Sequence, residues 1–134
     1  MLKGSCLCGG VHYEAQGPIM WMARCHCTQC RKASGAEFAT NGSVKAGTFR
    51  VTHGEELLGS FEWRPGSARF FCQRCGSPLF KRDAAHPDQV RLRLGCIDTD
   101  IDERPLAHVF VSEKPAWSEI TDTLRQFDQS PPTA

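Results

Sequence analysis

The sequence predicts a mainly β protein made of small antiparallel sheets with at most one short helix. Three observations predict it. Several short segments alternate apolar and polar residues with a period of two, the signature of a strand with one wet face. Twelve glycines and eight prolines punctuate the chain at intervals too short for long helices. Eight cysteines fall mostly into tight groups beside these segments, where they can tie strand ends together.

Taken in order, Val11–Ala15 alternates and reads as the first strand. Thr28–Ala33 reads as the one short helix, stopped by Gly35. Phe49–Thr52 and Leu58–Trp63 alternate again, and Ala68–Phe71 has the aromatic content of a buried strand. Gly76 and Pro78 bend the chain into the next segment. Val90–Leu94 alternates, with Arg91 and Arg93 on its polar face, and Ala107–Val111 reads as a buried strand. Beyond Trp117 the chain is weakly amphipathic, and residues from about 125 to 134 read as a frayed tail.

A length of 134 residues fits a single domain over residues 1–134. Sixteen Lys+Arg against fifteen Asp+Glu give a formal charge of +1, which excludes a protein whose main partner is the nucleic-acid backbone. No long apolar run is present, and Met1–Cys6 lacks the apolar stretch of a signal peptide, so no membrane partner and a cytoplasmic setting are expected. A chain of this size buries enough surface to fold without cross-links. Its cysteines therefore need a separate explanation.

They form C-x-C at Cys6/Cys8, C-x-C-x-x-C at Cys25/Cys27/Cys30 and C-x-x-C at Cys72/Cys75, with Cys96 alone. Cysteines one or two residues apart pair poorly with each other, and a reducing compartment keeps them as thiols. Paired thiols far apart in sequence suit tetrahedral Zn²⁺, to which each knuckle supplies two sulfurs. Arithmetic allows one four-cysteine site from Cys6, Cys8, Cys72 and Cys75, leaving Cys25, Cys27 and Cys30 for a second ion with an open fourth position. A full shell of thiolates marks a structural zinc and an open position a catalytic one. Two rivals compete for that position: Cys96, which otherwise reads as a small buried filler, and His26, whose place between two ligands turns it away from their ion.

Gly4-Ser5-Cys6-Leu7-Cys8-Gly9-Gly10-Val11 and Cys25-His26-Cys27-Thr28-Gln29-Cys30-Arg31-Lys32-Ala33-Ser34-Gly35 resemble the glutathione-dependent formaldehyde-activating enzyme family. Phe71-Cys72-Gln73-Arg74-Cys75-Gly76-Ser77-Pro78-Leu79 is similar to its second knuckle, and the run from His108 to Trp117 to its carboxy-terminal signature. The resemblance implies a β-tent fold, a structural zinc on Cys6, Cys8, Cys72 and Cys75, and an exchangeable active-site zinc on Cys25, Cys27 and Cys30. It also implies glutathione and formaldehyde as partners, joined to S-hydroxymethylglutathione in a carbon–sulfur lyase chemistry run in the synthetic direction.

The residues suit that chemistry. Three thiolates on Zn²⁺ leave a net charge near −1, which weakens it as an acid toward water and favours a fourth, substrate sulfur instead. Arg31 and Lys32 are candidates for substrate carboxylates but read first as solvated surface. His26 is a candidate proton shuttle, whereas His108 reads as a satisfied sheet histidine. Trp63 and Trp117 read as core before pocket walls, and Asp98, Asp100 and Asp102 as a solvated turn. The competing function is a non-catalytic zinc-binding β module for protein interaction, and the open coordination position separates the two.

Overall fold

Every alternating segment becomes a strand, and in most of them the apolar residues share one face and are buried together, Leu58–Trp63 with its exposed Phe61 being the exception. A computed structural model describes residues 1–131. In chain order it contains β1 (Leu2–Ser5), β2 (His12–Ala15), β3 (Met20–Cys25), α1 (Thr28–Ser34), β4 (Ala39–Lys45), β5 (Arg50–His53), β6 (Leu58–Arg64), β7 (Ser67–Cys72), β8 (Pro78–Asp83), β9 (Gln89–Arg93), β10 (Ala107–Val109) and β11 (Arg125–Gln126). Strands β1, β2 and β5 form a three-stranded sheet, and the other eight a sheet in the order β11-β10-β3-β4-β9-β8-β7-β6. The fold is mainly β with one α-helix, as the composition of short alternating segments implies.

The core lies between the two sheets. Leu2, Tyr13 and Ala15 of the small sheet pack with Val44, Phe80, Val90 and Leu92 of the large one. Phe49, Phe70 and Phe80 add an aromatic layer, with Phe70 and Phe80 stacked 4.7 Å apart. Gly4 lies against the Tyr13 ring, where any Cβ would collide with it, so the N-terminal strand needs glycine at that point.

Four departures from the sequence reading have structural origins. Central strands β3 and β4 lack alternation because they have neighbours on both sides and carry small or polar residues on a second, also buried, face; Asn41, Gly42, Ser43 and Val44 are all buried. β10 runs parallel to both β3 and β11, so the large sheet is mixed rather than wholly antiparallel. Ala107–Val111 is a strand only to Val109, because Phe110 takes a left-handed backbone (φ 56°) and Val111–Glu113 coils into a 3₁₀ turn. The segment read as a frayed tail from about residue 125 carries β11, and Phe127 donates to the His108 carbonyl at 2.9 Å. Residues 132–134 of that tail lie outside the described residues.

α1 begins and ends where its sequence dictates. Cys27 is the N-cap, its Sγ accepting from the Cys30 amide at 3.2 Å, and Gly35 closes the helix in a left-handed conformation (φ 62°) with its amide on the Arg31 carbonyl. No helix among the described residues is long and apolar enough to cross a membrane.

Leu92 is fully buried at the sheet centre, whereas Leu106 is 58% exposed. Leu92→Ala is expected to lower stability by about 3 kcal/mol, read as a lower urea midpoint. Leu106→Ala should shift it by less than about 0.5 kcal/mol.

Candidate functional site

The first sulfur cluster joins the two sheets. Cys6 and Cys8 occupy the turn between β1 and β2, Cys72 ends β7, and Cys75 lies in the turn that leads to β8. Their sulfurs lie within 4.8 Å of one another, with Cys6 to Cys8 at 3.5 Å and Cys8 to Cys72 at 3.8 Å. Four sulfurs placed tetrahedrally about 2.3 Å from one ion stand about 3.8 Å apart, so this donor set fits a tetrahedral metal. Amides and side chains point at the sulfurs: Val11 N–H at 3.2 Å from Cys6 Sγ and Arg74 Nε at 3.3 Å from Cys8 Sγ. Arg74 holds the Cys8 thiol below its ordinary range. Hydrogen bonds from Ser77 draw Cys75 down to about 5, while burial pushes Cys72 up to about 11. A site in which Cys75 already favours the thiolate is prepared for a cation.

The second cluster sits where β3 passes into α1. Cys25 is the last residue of β3, Cys27 the helix cap and Cys30 the first buried helical residue, and all three sulfurs lie within 4.8 Å. Cys25 and Cys27 donate to Cys30, holding that thiol far below its ordinary range, and Arg69 reinforces the effect. Cys25 is correspondingly pushed far up by its sulfur neighbours and by burial. Three converging sulfurs fit a metal held by three thiolates, which would replace their protons.

The loop is braced from the carboxy-terminal side. β10 lies beside β3 with Val109 opposite Cys25, and the His26 amide donates to the Val109 carbonyl at 3.0 Å. Glu113 Oε1 accepts from the Thr28 amide at 3.0 Å, and Arg31 bonds the carbonyls of His26 and Glu113. These contacts explain why the His108–Trp117 run accompanies the cysteines: it forms the wall behind them.

His26 and His108 make a buried chain. Asp122 accepts from His108 Nε2 at 2.9 Å, which leaves His108 Nδ1 to accept from His26 Nε2 at 2.8 Å. His26 Nδ1 is then a bare acceptor, buried and without a partner among the described residues. Burial, more than any other cause, lowers the His26 pKa below its ordinary value. Asp122 was not legible from sequence because nothing local marks it; only the parallel pairing of β10 with β11 brings its loop back to His108.

The other candidates sort out by position. Cys96 belongs to neither cluster; its Sγ donates to the Pro78 carbonyl at 3.3 Å, beside the four-cysteine end of the molecule. It is half-buried, as a filler would be, and does not complete the three-cysteine set. Arg31, Lys32 and Trp117 line an open cleft of about 480 Å³ with Gly35, Ala36 and Glu37. Trp117 is 70% exposed, which corrects its reading as core: the turn after Val111–Glu113 carries it past the sheet edge. Trp63 is partly buried against the cations Arg69 and Lys81, at 4.4 and 4.9 Å from its ring. Asp98, Asp100 and Asp102 are all exposed as expected, and Asp98 accepts from Ser5 Oγ at 2.6 Å. Arg93 corrects the reading of a wet face on β9: it is 5% exposed and beside Cys30.

Comparison with known proteins shows what the chain is similar to. A family model described as glutathione-dependent formaldehyde-activating enzyme matches residues 1–113. A Halomonas elongata protein provisionally given that same name is 36% identical over 129 residues, covering 90% of this chain and 81% of the relative. A crystal structure of a Rhodobacter sphaeroides protein superposes with a TM-score of 0.64 at 22% identity, covering 75% of this chain and 91% of that one, which establishes likeness of fold.

The Asp122 carboxyl is held below its ordinary value of 3.8, first by the His108 hydrogen bond. A depressed carboxyl stabilises the fold fully above that ordinary value and ceases to as pH falls through the lower folded one. Wild type is therefore expected to melt above Asp122→Asn at pH 6, with the difference shrinking steadily below about pH 4. A constant difference down to pH 2 would refute the pairing.

Proposed function

The chain belongs to the glutathione-dependent formaldehyde-activating enzyme family, and from that membership we propose a zinc-dependent enzyme of the carbon–sulfur lyase type that joins glutathione to formaldehyde. Two zinc ions per chain are proposed. Cys6, Cys8, Cys72 and Cys75 hold the structural one, and Cys25, Cys27 and Cys30 the exchangeable one at the active site. One observation carries this reading: the second cluster offers three converging sulfurs with no fourth cysteine or histidine joining them among the described residues. When bound there, zinc supplies a soft coordination position that favours a sulfur ligand as its thiolate.

In the reaction, the substrate sulfur adds to the carbonyl carbon, a C–S bond forms, and the carbonyl π pair moves to oxygen. That oxygen takes up the proton the thiol gave away, yielding S-hydroxymethylglutathione with no change in oxidation state. The chain's part is to hold three sulfurs in a fixed triangle at the mouth of α1, where Glu113 and Arg31 prevent the loop from fraying. His26 presents its bare Nδ1 because His108 and Asp122 fix its tautomer, which makes it the candidate carrier for the transferred proton. The free thiols suit a reducing compartment, and we assign the protein to the cytoplasm on that ground.

Formaldehyde and glutathione combine spontaneously, so the test is acceleration above that background. Wild type and Cys96→Ser should accelerate adduct formation, while Cys27→Ser should fall by at least about a hundredfold, toward background. Elemental analysis should find two zinc ions per chain in wild type and one in Cys27→Ser, the second being the one released by mild chelation. Cys72→Ser should instead lower the melting temperature, because it opens the link between the sheets. Two chelator-resistant ions with no acceleration would support the competing reading of a zinc-binding module for protein interaction.

A further inference from the structure

Beside the three-cysteine cluster, the face of the large sheet turned away from the core carries a row of cations. Arg69 of β7 is paired in register with Lys81 of β8, and Lys81 with Arg91 of β9. Arg93, two residues along β9, lies opposite Asn41 on the same face and is only 5% exposed. Like charges directly opposite one another on adjacent strands destabilise a sheet. None of these four residues forms an ion pair among the described residues. The nearby acid on β8, Asp83, is engaged by Arg64 at 3.8 Å.

Cys30 accounts for part of the row. Arg69 Nη2 and Arg93 Nη1 converge on its sulfur at 4.0 and 3.9 Å, and Asn41 Nδ2 approaches at 4.0 Å while its carbonyl oxygen accepts from Arg93. Yet each guanidinium has a second nitrogen that is buried and without a partner among the described residues: Arg69 Nη1 and Arg93 Nη2. Trp63 Nε1, whose ring covers Arg69 and Lys81, is a third such atom. All three are donors with no acceptor, and buried donors without acceptors are rare in a folded protein. Three thiolates around a divalent ion leave one net negative charge, which balances one of the four cations.

We propose that Arg69 and Arg93, with Lys81, Arg91 and the Trp63 indole, form the carboxylate-binding site of the thiol substrate and so select acidic thiols over neutral ones. The inference rests on the reading of the three-cysteine cluster as the thiol site. A carboxylate is acceptor-only, carries up to four lone pairs and matches the guanidinium fork. It would satisfy the spare donors and offset the crowding of Arg69, Lys81 and Arg91 while its thiol reaches the sulfur cluster beside them. The other basic pair, Arg31 and Lys32, is less suited. Arg31 spends its donors on His26, Thr28 and Glu113, and Lys32 shares its open cleft with Glu37.

Calorimetric titration of the zinc-loaded protein with three probes tests this. S-methylglutathione keeps both carboxylates without a free thiol, glutathione diethyl ester keeps the thiol without carboxylates, and glutathione has both. S-methylglutathione should bind wild type, weaken with added salt, and lose at least about tenfold in affinity in Arg69→Gln and in Arg93→Met. Lys32→Gln should bind it as wild type does. The ester should bind more weakly than glutathione and be indifferent to Arg69→Gln. Arg69 is only half-buried, so Arg69→Gln, with its fold checked by thermal melt, keeps the test decisive even where Arg93→Met unfolds. No binding of S-methylglutathione, binding untouched by Arg69→Gln, or binding lost in Lys32→Gln would each overturn the assignment. Arg69-dependent binding of S-methylglutathione, combined with glutathione affinity unchanged in Cys27→Ser, would uphold the carboxylate site and overturn the thiol reading instead.

Discussion

Sulfur atoms cannot be packed within 4.8 Å of one another as free thiolates, because their mutual repulsion would drive them apart or force all but one to keep a proton. The molecule imposes that crowding twice, and the rest of its architecture follows from how each crowd is held. The first crowd gathers turns from the two sheets, separated by 64 residues between Cys8 and Cys72, and so joins the halves of the core at one end. The Leu7 amide on Ser77 Oγ at 2.9 Å and Arg74 over Cys8 fasten the same junction. The second crowd belongs to a single stretch of chain, so it contributes little to joining distant elements. Its geometry serves the site rather than the fold.

The large sheet divides these roles between its faces. Val90, Leu92 and Phe80 point into the core shared with the small sheet. The residues that alternate with them, Lys81, Arg91 and Arg93, lie on the other face, where Arg93 reaches Cys30. Period-two alternation therefore puts the hydrophobic core and the charged site back to back across a single layer of strands. A one-residue slip of β9 would exchange the two, so the register that builds the core also places the cations.

Alternating strands, the helix with its glycine stop and the three tight cysteine groups with Cys96 apart are all visible in the sequence, because each depends on neighbours within a few residues. β3 and β4 are not visible. Their burial comes from partners on both sides, which replaces alternation by small residues such as Ala39, Gly42 and Ser43. Trp117 and Arg93 show the same limit in opposite directions. An aromatic residue expected inside lies exposed beyond a 3₁₀ turn, and an arginine expected in water is enclosed next to a sulfur.

By itself, the sequence determined which atoms can bind a metal, since knuckle spacing is a local property and thiols at one or two residues' separation reach a common point whatever the surrounding fold. Tertiary structure decided how those thiols are shared and what faces them. It brought Cys6 and Cys8 to Cys72 and Cys75, left Cys96 outside both clusters, and folded β10 back parallel to β3 so that His108 and Asp122 stand behind His26. It also set Arg69, Lys81 and Arg91 side by side from three strands. Those contacts join residues far apart in sequence, and strand pairing and register alone make them neighbours.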